Sequence, residues 1–120
     1  MQVYLSLGTN VGNRLLFLER AIDLIVERVG EVCKQSSVYE TEAWGFNAQA
    51  FLNQVLCVET SLLPMPLLQV TQAIEQELGR KKEAAAMGYA SREIDIDVLF
   101  YGEEVITLDN LCVPHPLLSE

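Results

Sequence analysis

The sequence has few basic residues and one histidine, and each shortage removes a class of function. Eight lysines and arginines stand against seventeen aspartates and glutamates, which gives a net charge of -9 over 120 residues. Such a chain repels nucleic acid backbones and anionic membranes, so we expect neither as a partner. His115 is the single histidine, which excludes metal clusters and proton relays that need two imidazoles. Any metal must therefore be held by oxygen.

Cysteine and long apolar runs are also scarce. Cys33, Cys57 and Cys112 are odd in number and lack the paired spacing of a zinc site or redox dithiol, so we expect small core residues in a reducing compartment. Apolar runs such as residues 15–18 are too short to cross a bilayer. The N-terminus has no basic region followed by an apolar one. With half of its residues apolar, the chain is predicted to be one cytoplasmic domain over residues 1–120.

Apolar spacing predicts four strands and two helices. Period-two alternation marks the strands, three-and-four spacing marks the helices, and glycines or prolines bound most segments. The predicted elements are a strand at 3–7 ended by GTNVGN, a helix at 13–30, strands at 32–39 and 51–60, a helix at 64–79, and a strand within 91–102. The apolar face of the first helix is predicted to carry Leu15, Leu18, Ile22, Ile25 and Val29.

This order is typical of an α+β fold, the ferredoxin-like βαββαβ core, in which helices pack on a mainly antiparallel sheet. Residues 103–107 would add a C-terminal hairpin strand. Right-handed crossovers would place the first and fourth strands in the interior of the sheet or close to it. We therefore expect the fourth strand not to be an edge strand.

The fourth strand, within SREIDIDVLFYG, lines up three carboxylates. Alternation puts Glu93, Asp95 and Asp97 on the face opposite its isoleucines and valine. The two aspartates would lie ~6.6 Å apart and repel by ~2.5 kcal/mol at an effective dielectric of ~20. Either this is a solvated strand face screened by water and salt, or positive charge lies opposite it.

Four of the eight cations fall just before this pair, at Arg80, Lys81, Lys82 and Arg92. They could simply be cations that stabilise the negative C-terminal end of a helix dipole. Combined with the aspartates they favour phosphoryl transfer, because Mg²⁺ usually takes one or two carboxylates plus substrate phosphates, while Arg and Lys neutralise a polyphosphate. Positioning and charge compensation carry most of that catalysis. No Walker or kinase glycine loop is present.

Five segments occur in an order that points to a known family: YLSLGTNVGNR, SSVYETEAWGFNAQAFLNQVLCVET, IEQELGRKK, SREIDIDVLFYG and VPHP. The most specific element is R-x-x-D-x-D at 92–97, with F-L-N upstream and P-H-P downstream. Together they resemble the 6-hydroxymethyl-7,8-dihydropterin pyrophosphokinase family of folate biosynthesis. Its members are enzymes that move pyrophosphate from ATP to the pterin hydroxymethyl group and release AMP.

The resemblance implies roles for particular residues. Asp95 and Asp97 would hold two Mg²⁺ ions and, with Arg80 and Arg92, would form the catalytic group. ATP would be contacted by Gln72, Glu75, Arg80, Lys82, Arg92, Val98 and His115. The pterin would be contacted by Thr41, Ala43, Trp44, Gly45, Phe51, Asn53 and Asp95, with Phe51 stacking on its ring. The segment between Gly79 and Arg92 would be the loop that closes over ATP.

Alternatives remain open at this point. Taken alone, Phe51 could be a core aromatic, His115 a loop histidine, and Trp44 a loop anchor instead of a lid. The chain could be a catalytically weak or silent ferredoxin-like nucleotide-binding or assembly module, or a two-aspartate nucleotidyl transferase releasing pyrophosphate. A homodimer is left open.

The sequence also departs from the family pattern. The family usually carries a further Arg and Phe after the His-Pro element, whereas this sequence stops at Glu120, so we expect a C-terminally short domain. MGYASR stands where many members have Trp-Gly-Pro-Arg, and the TEAWG loop lacks the common prolines. The rim of the pterin pocket is therefore expected to be looser.

Overall fold

The computed structural model describes residues 1–10, 12–42, 50–79, 94–103, 106–108 and 111–113. Its elements in chain order are β1 (Gln2–Thr9), α1 (Arg14–Arg28), β2 (Gly30–Gln35), β3 (Tyr39–Thr41), β4 (Phe51–Thr60), α2 (Pro64–Gly79), β5 (Asp95–Tyr101), β6 (Ile106–Leu108) and β7 (Leu111–Val113). The predicted α+β class and the βαββαβ order are confirmed. In the described part of the chain, no helix is long and apolar enough to cross a membrane.

The main sheet is antiparallel and has the order β2-β4-β1-β5, with β3 also pairing on β4. Each crossover helix connects two strands that flank a third, so β1 and β4 become central and β2 and β5 lie outermost. The expectation that β5 avoids the edge of the sheet is therefore wrong. The strand predicted at 103–107 corresponds to β6, which pairs with β7 in a separate two-stranded sheet.

One face of the sheet carries the core, and the two helices cover it. The buried cluster includes Val3, Leu5, Leu7, Leu18, Ala21, Ile25, Val29, Leu56, Val58, Leu67 and Ile74. Leu15, predicted to belong to this core, is 56 % exposed. The buried stripe of α1 is centred nearer Ala21, which leaves Leu15 at its margin in the first turn.

The first two strands differ from their predicted bounds. β1 continues through Gly8 to Thr9, because both residues still pair with β4. The predicted 32–39 strand is divided into β2 and β3 by a break at residues 36–38. Ser36 bridges this break, since its N–H donates to Val55 O at 2.8 Å and its hydroxyl accepts from Val55 N at 2.9 Å.

Two cysteines have opposite environments. Cys57 is buried on β4, as predicted, whereas Cys33 is exposed, so the expectation of a core position is wrong there. The pairing of β2 with β4 shifts register between Val32 and Lys34, and this irregularity places Cys33 outside the regular alternation. The side chain of Cys112 lies outside the described residues.

Candidate active site

The aspartate pair lies on the outer face of β5, away from the helices. Ile96 and Val98 are each 5 % exposed, and Ile94, just before the strand, is 1 % exposed. Asp97 is exposed and Asp95 is half-buried. The predicted division into an apolar face and an acidic face is therefore confirmed for residues 94–98, whereas Glu93 lies outside the described residues.

A β-bulge ends this alternation after the second aspartate. The pairing register with β1 shifts between Tyr4 and Leu5, which leaves Leu99 as the extra residue on β5. Phe100 consequently returns to the outer face, where its ring meets Tyr4 edge-on at 6.0 Å between centroids. The bulge thereby separates the acidic part of the strand from a small aromatic pair.

Strand pairing brings a polar amide into line with the first aspartate. On the outer face, Asp95 of β5 lies opposite Gly8 of β1, and Gly8 lies opposite Asn53 of β4. The row continues to Tyr39 of β3. Because adjacent strands lie ~4.8 Å apart, the Cα atoms of Asp95 and Asn53 are separated by about 10 Å. One residue without a side chain stands between them.

Gly8 keeps the middle of this row open. A Cβ at Gly8 would lie 3.1 Å from Asn53 Oδ1 and 3.8 Å from Phe51 Cδ1. The amide oxygen and the edge of the aromatic ring therefore both overhang the Gly8 backbone. Gly8 falls within the predicted turn GTNVGN, so its place in this row was not predicted. A glycine inside a strand pattern is the signal of such a close approach.

Hydrogen bonds orient the amide of Asn53. Its Nδ2 donates to Thr41 Oγ1 at 2.9 Å and to Tyr39 O at 3.3 Å, so both donors point toward β3. The oxygen is left on the side of Gly8. Thr41 is also paired with Phe51 in the β3–β4 ladder. Of the predicted site residues, the structure brings together Thr41, Phe51, Asn53, Asp95 and Asp97.

Arg14, at the start of α1, braces the same end of the sheet. Its Nη1 donates to Ala50 O at 2.7 Å and lies 3.5 Å from Glu40 Oε2. Arg14 thus contacts the chain on both sides of residues 43–49. We expect these contacts to hold the ends of β3 and β4 in register.

The predicted nucleotide residues divide between the surface and the core. Gln72 is exposed on α2, whereas Glu75 is 8 % exposed and its Oε2 accepts the Ile96 N–H at 2.8 Å. The side chain of Val98 is in the core, so its backbone alone could meet a ligand. The predicted site residues that lie outside the described residues are Ala43, Trp44, Gly45, Arg80, Lys82, Arg92 and His115.

The donor set available for a metal is small. Among the residues that the structure describes, no group of three or more His, Cys, Asp and Glu side chains could hold a metal ion. The aspartate pair offers two carboxylates on one strand face. This fits Mg²⁺, which usually binds one or two carboxylates and completes its shell with water and substrate phosphates.

Comparison with known proteins gives the class of enzyme, a transferase, and its family. The family model for 7,8-dihydro-6-hydroxymethylpterin-pyrophosphokinase matches residues 4–120. The chain belongs to this family. The predicted family membership and the prediction of a pyrophosphokinase are therefore confirmed, and the comparisons do not support the alternative of a silent module.

Curated relatives agree with the family model. The chain is 48 % identical over 119 residues to a 2-amino-4-hydroxy-6-hydroxymethyldihydropteridine pyrophosphokinase of Aquifex aeolicus, covering 98 % of this chain and 72 % of the relative. A protein of the same name from Bacillus subtilis is 41 % identical over 119 residues, covering 98 % of this chain and 70 % of the relative. Both relatives are longer than the chain.

Solved structures agree on the fold. The wild-type HPPK-DHPS of Plasmodium falciparum aligns with a TM-score of 0.72 and 19 % sequence identity, over 92 % of this chain and 31 % of that one. At this identity the likeness concerns the fold alone. The α+β arrangement is thus found in a part of a larger chain.

Proposed function

We propose that the chain transfers pyrophosphate from ATP to the hydroxymethyl group of 6-hydroxymethyl-7,8-dihydropterin and releases AMP. The observation that carries the proposal is the outer-face row in which Gly8 separates Asp95 from Asn53. One end of the row offers a carboxylate for a metal-bound phosphate, and the other offers an amide and an aromatic ring for a flat heterocycle. Relatives from Aquifex aeolicus and Bacillus subtilis are named for this activity.

Asp95 and Asp97 would hold two Mg²⁺ ions together with the phosphates of ATP. Two carboxylates two residues apart on a strand lie ~6.6 Å from each other and repel by ~2.5 kcal/mol at an effective dielectric of ~20. A bound cation would remove that repulsion. Bound Mg²⁺ supplies charge neutralisation on the phosphate oxygens and alignment of the reacting groups.

The pterin would lie across Gly8. Asn53 Oδ1, on the side of Gly8, would accept a hydrogen bond from the N–H edge of the ring, and Phe51 would cover one ring face. Thr41 holds the amide in this orientation. The hydroxymethyl group would then point along the row toward Asp95, whose carboxylate would accept a hydrogen bond from the reacting hydroxyl.

ATP would approach from the side of β5 that lies away from β1. Gln72 is exposed on α2, and Val98 could offer only its backbone. Arg80, Lys82 and Arg92 are close in sequence to α2 and β5, and we propose that they and His115 neutralise the phosphates. Ala43, Trp44 and Gly45 would complete the pterin rim. The enzyme would act in the cytoplasm.

The test compares Asp97→Asn with Asp23→Asn, an exposed aspartate on α1. Because a metal ion acting as a Lewis acid contributes several kcal/mol, Asp97→Asn should lower Mg²⁺-dependent AMP formation by about 100-fold or more while leaving the thermal midpoint nearly unchanged. Asp23→Asn should retain full turnover. AMP is measured from ATP, Mg²⁺ and the reduced pterin alcohol.

Two results would count against the proposal. Full turnover by Asp97→Asn would contradict the metal assignment alone. A wild-type chain that binds neither the pterin nor a non-hydrolysable ATP analogue with Mg²⁺ would contradict the function itself. Release of pyrophosphate instead of AMP would favour nucleotidyl transfer.

A further inference from the structure

We propose that Glu75 is a positioning residue that aligns the aspartate pair through the backbone of β5. Its Oε2 accepts the Ile96 N–H at 2.8 Å in a buried contact that joins residues 21 apart in sequence. Ile96 is the residue between Asp95 and Asp97. The inference rests on the proposed function, because it concerns the geometry of the same metal-binding carboxylates.

The position of β5 in the sheet explains why such a contact matters. β5 is the last strand in the sheet order and pairs with β1 on one side. In the part of the chain that the structure describes, no strand is hydrogen-bonded to its other side, although β7 lies close to β5. A buried N–H needs an acceptor, and here a helix side chain supplies it where a neighbouring strand would otherwise do so.

The acceptor is rigidly held. Glu75 is 8 % exposed on α2, and its neighbour Ile74 is fully buried in the core. A carboxylate accepts a shorter and stronger hydrogen bond than a neutral carbonyl does. The Glu75 contact therefore fixes the peptide plane between the two aspartates to a packed helix.

Orientation of that peptide decides where both carboxylates point. Successive side chains of a strand point to opposite faces, so Asp95 and Asp97 share a face only while the backbone at Ile96 stays extended. At the edge of a sheet this backbone has one strand to restrain it. The Glu75 contact restrains it from the other side and keeps the two carboxylates parallel toward the metal ions.

This role differs from direct contact with the nucleotide, which the family resemblance implies for Glu75. A direct role depends on the negative charge of the carboxylate. A positioning role depends on an oxygen acceptor at the right distance. Glutamine has the same length and keeps that oxygen without the charge, whereas methionine has a similar shape, favours helix and lacks the acceptor oxygen.

The experiment compares Glu75→Gln and Glu75→Met with Glu77→Gln and Glu77→Met on the wild-type background. Glu77 lies on the same helix, is exposed, and contacts Arg28 at 2.8 Å. The first readout is the affinity for Mn²⁺ in the presence of a non-hydrolysable ATP analogue. It is measured by electron paramagnetic resonance at a temperature well below the thermal midpoint of every variant. The second is the amide proton shift of Ile96.

Glu75→Met should weaken Mn²⁺ binding by about 10–100-fold, the usual effect of losing a group that orients metal ligands. It should also shift the Ile96 amide proton upfield, because that proton loses its acceptor. Glu75→Gln should stay much closer to wild type in both readouts. The two Glu77 variants should match wild type.

Other outcomes overturn the inference in different ways. If Glu75→Gln weakens Mn²⁺ binding as much as Glu75→Met, the charge acts directly on the metal or nucleotide. If Glu75→Met lowers only the thermal midpoint and leaves Mn²⁺ affinity unchanged, the contact is purely structural. If wild type binds no Mn²⁺ with the analogue, the proposed function fails first, and the inference fails with it.

Discussion

Gly8→Ala is the substitution that most directly tests whether a substrate lies between the amide and the aspartates. The added Cβ would lie 3.1 Å from Asn53 Oδ1, whereas ordinary contacts begin at 3.4 Å. The Asn53 side chain must therefore withdraw by a few tenths of an ångström. That movement strains its hydrogen bonds to Thr41 Oγ1 and Tyr39 O, each of which contributes roughly 0.5–1.5 kcal/mol.

The effect on stability should be small. The strained hydrogen bonds cost about 1 kcal/mol, and alanine in a strand recovers roughly 0.5–1 kcal/mol relative to glycine. The two contributions nearly cancel, so the free energy of unfolding should change by less than about 1 kcal/mol. A loss of activity could then not be attributed to unfolding.

The effect on activity should be large and specific to the pterin. The methyl group would occupy the floor on which the ring is proposed to lie, and a displacement of about 1 Å can lower a rate by roughly 100-fold. We expect kcat/KM for the pterin to fall by about that factor, while the dissociation constant of the ATP analogue with Mg²⁺ stays near wild type. Gln2→Ala, at the far end of the same face of β1, is the matched control.

The assay is steady-state AMP formation over a range of pterin concentrations, with unfolding followed by urea titration. If Gly8→Ala keeps wild-type kcat/KM, the pterin does not lie on Gly8, and the proposed arrangement of the site is wrong. Equal losses for Gln2→Ala and Gly8→Ala would show a general effect on β1 instead.

Two further predictions concern the sheet itself. Gly30→Ala should lower the free energy of unfolding by about 1–3 kcal/mol or more in urea titration, because its Cβ would overlap the backbone of Glu59, which cannot move away; an unchanged midpoint would contradict this. The hydrogen bond with the Cys57 side chain, and then the Cys57 charge, raise the pKa of Tyr4 above its usual 10.0 in the folded protein. The stability that protonated Tyr4 contributes is therefore present below pH 10 and is lost as the pH rises through the higher pKa of the folded state. Cys57→Ala should lower the pKa of Tyr4, measured by absorbance at alkaline pH and assigned by difference from Tyr4→Phe. An unchanged pKa would refute Cys57 as the cause.

Local sequence patterns predicted many of the helices and strands. β4 runs over Phe51–Thr60 and α2 over Pro64–Gly79, as predicted, because alternation and helical spacing are bounded there by prolines and a glycine. α1 begins one residue after its predicted start, and the Asn13 side chain accepts from Leu16 N at 3.2 Å as its N-cap. These signals depend on neighbours within a few residues.

The cross-strand alignment of residues in the sheet could not be predicted from such local patterns. Alternation predicts which face a residue occupies, but it does not predict which residue of another strand lies opposite. The alignment of Gly8 with both Asp95 and Asn53 depends on two long-range registers, and the Leu99 bulge shifts one of them. The contact of Glu75 with Ile96 is equally non-local.

β5 was predicted not to be an edge strand. Its edge position helps to explain the proposed site. In a central strand, both sides of the backbone would be paired with other strands, and no helix side chain could reach the peptide between the aspartates. At the edge, Glu75 can reach Ile96, and no described strand is hydrogen-bonded to β5 on the side away from β1. In the proposed arrangement, the pterin would approach Asp95 along the row from Asn53, while the phosphates would approach from the side away from β1. An edge strand would thereby let two substrates meet at one carboxylate pair from opposite sides.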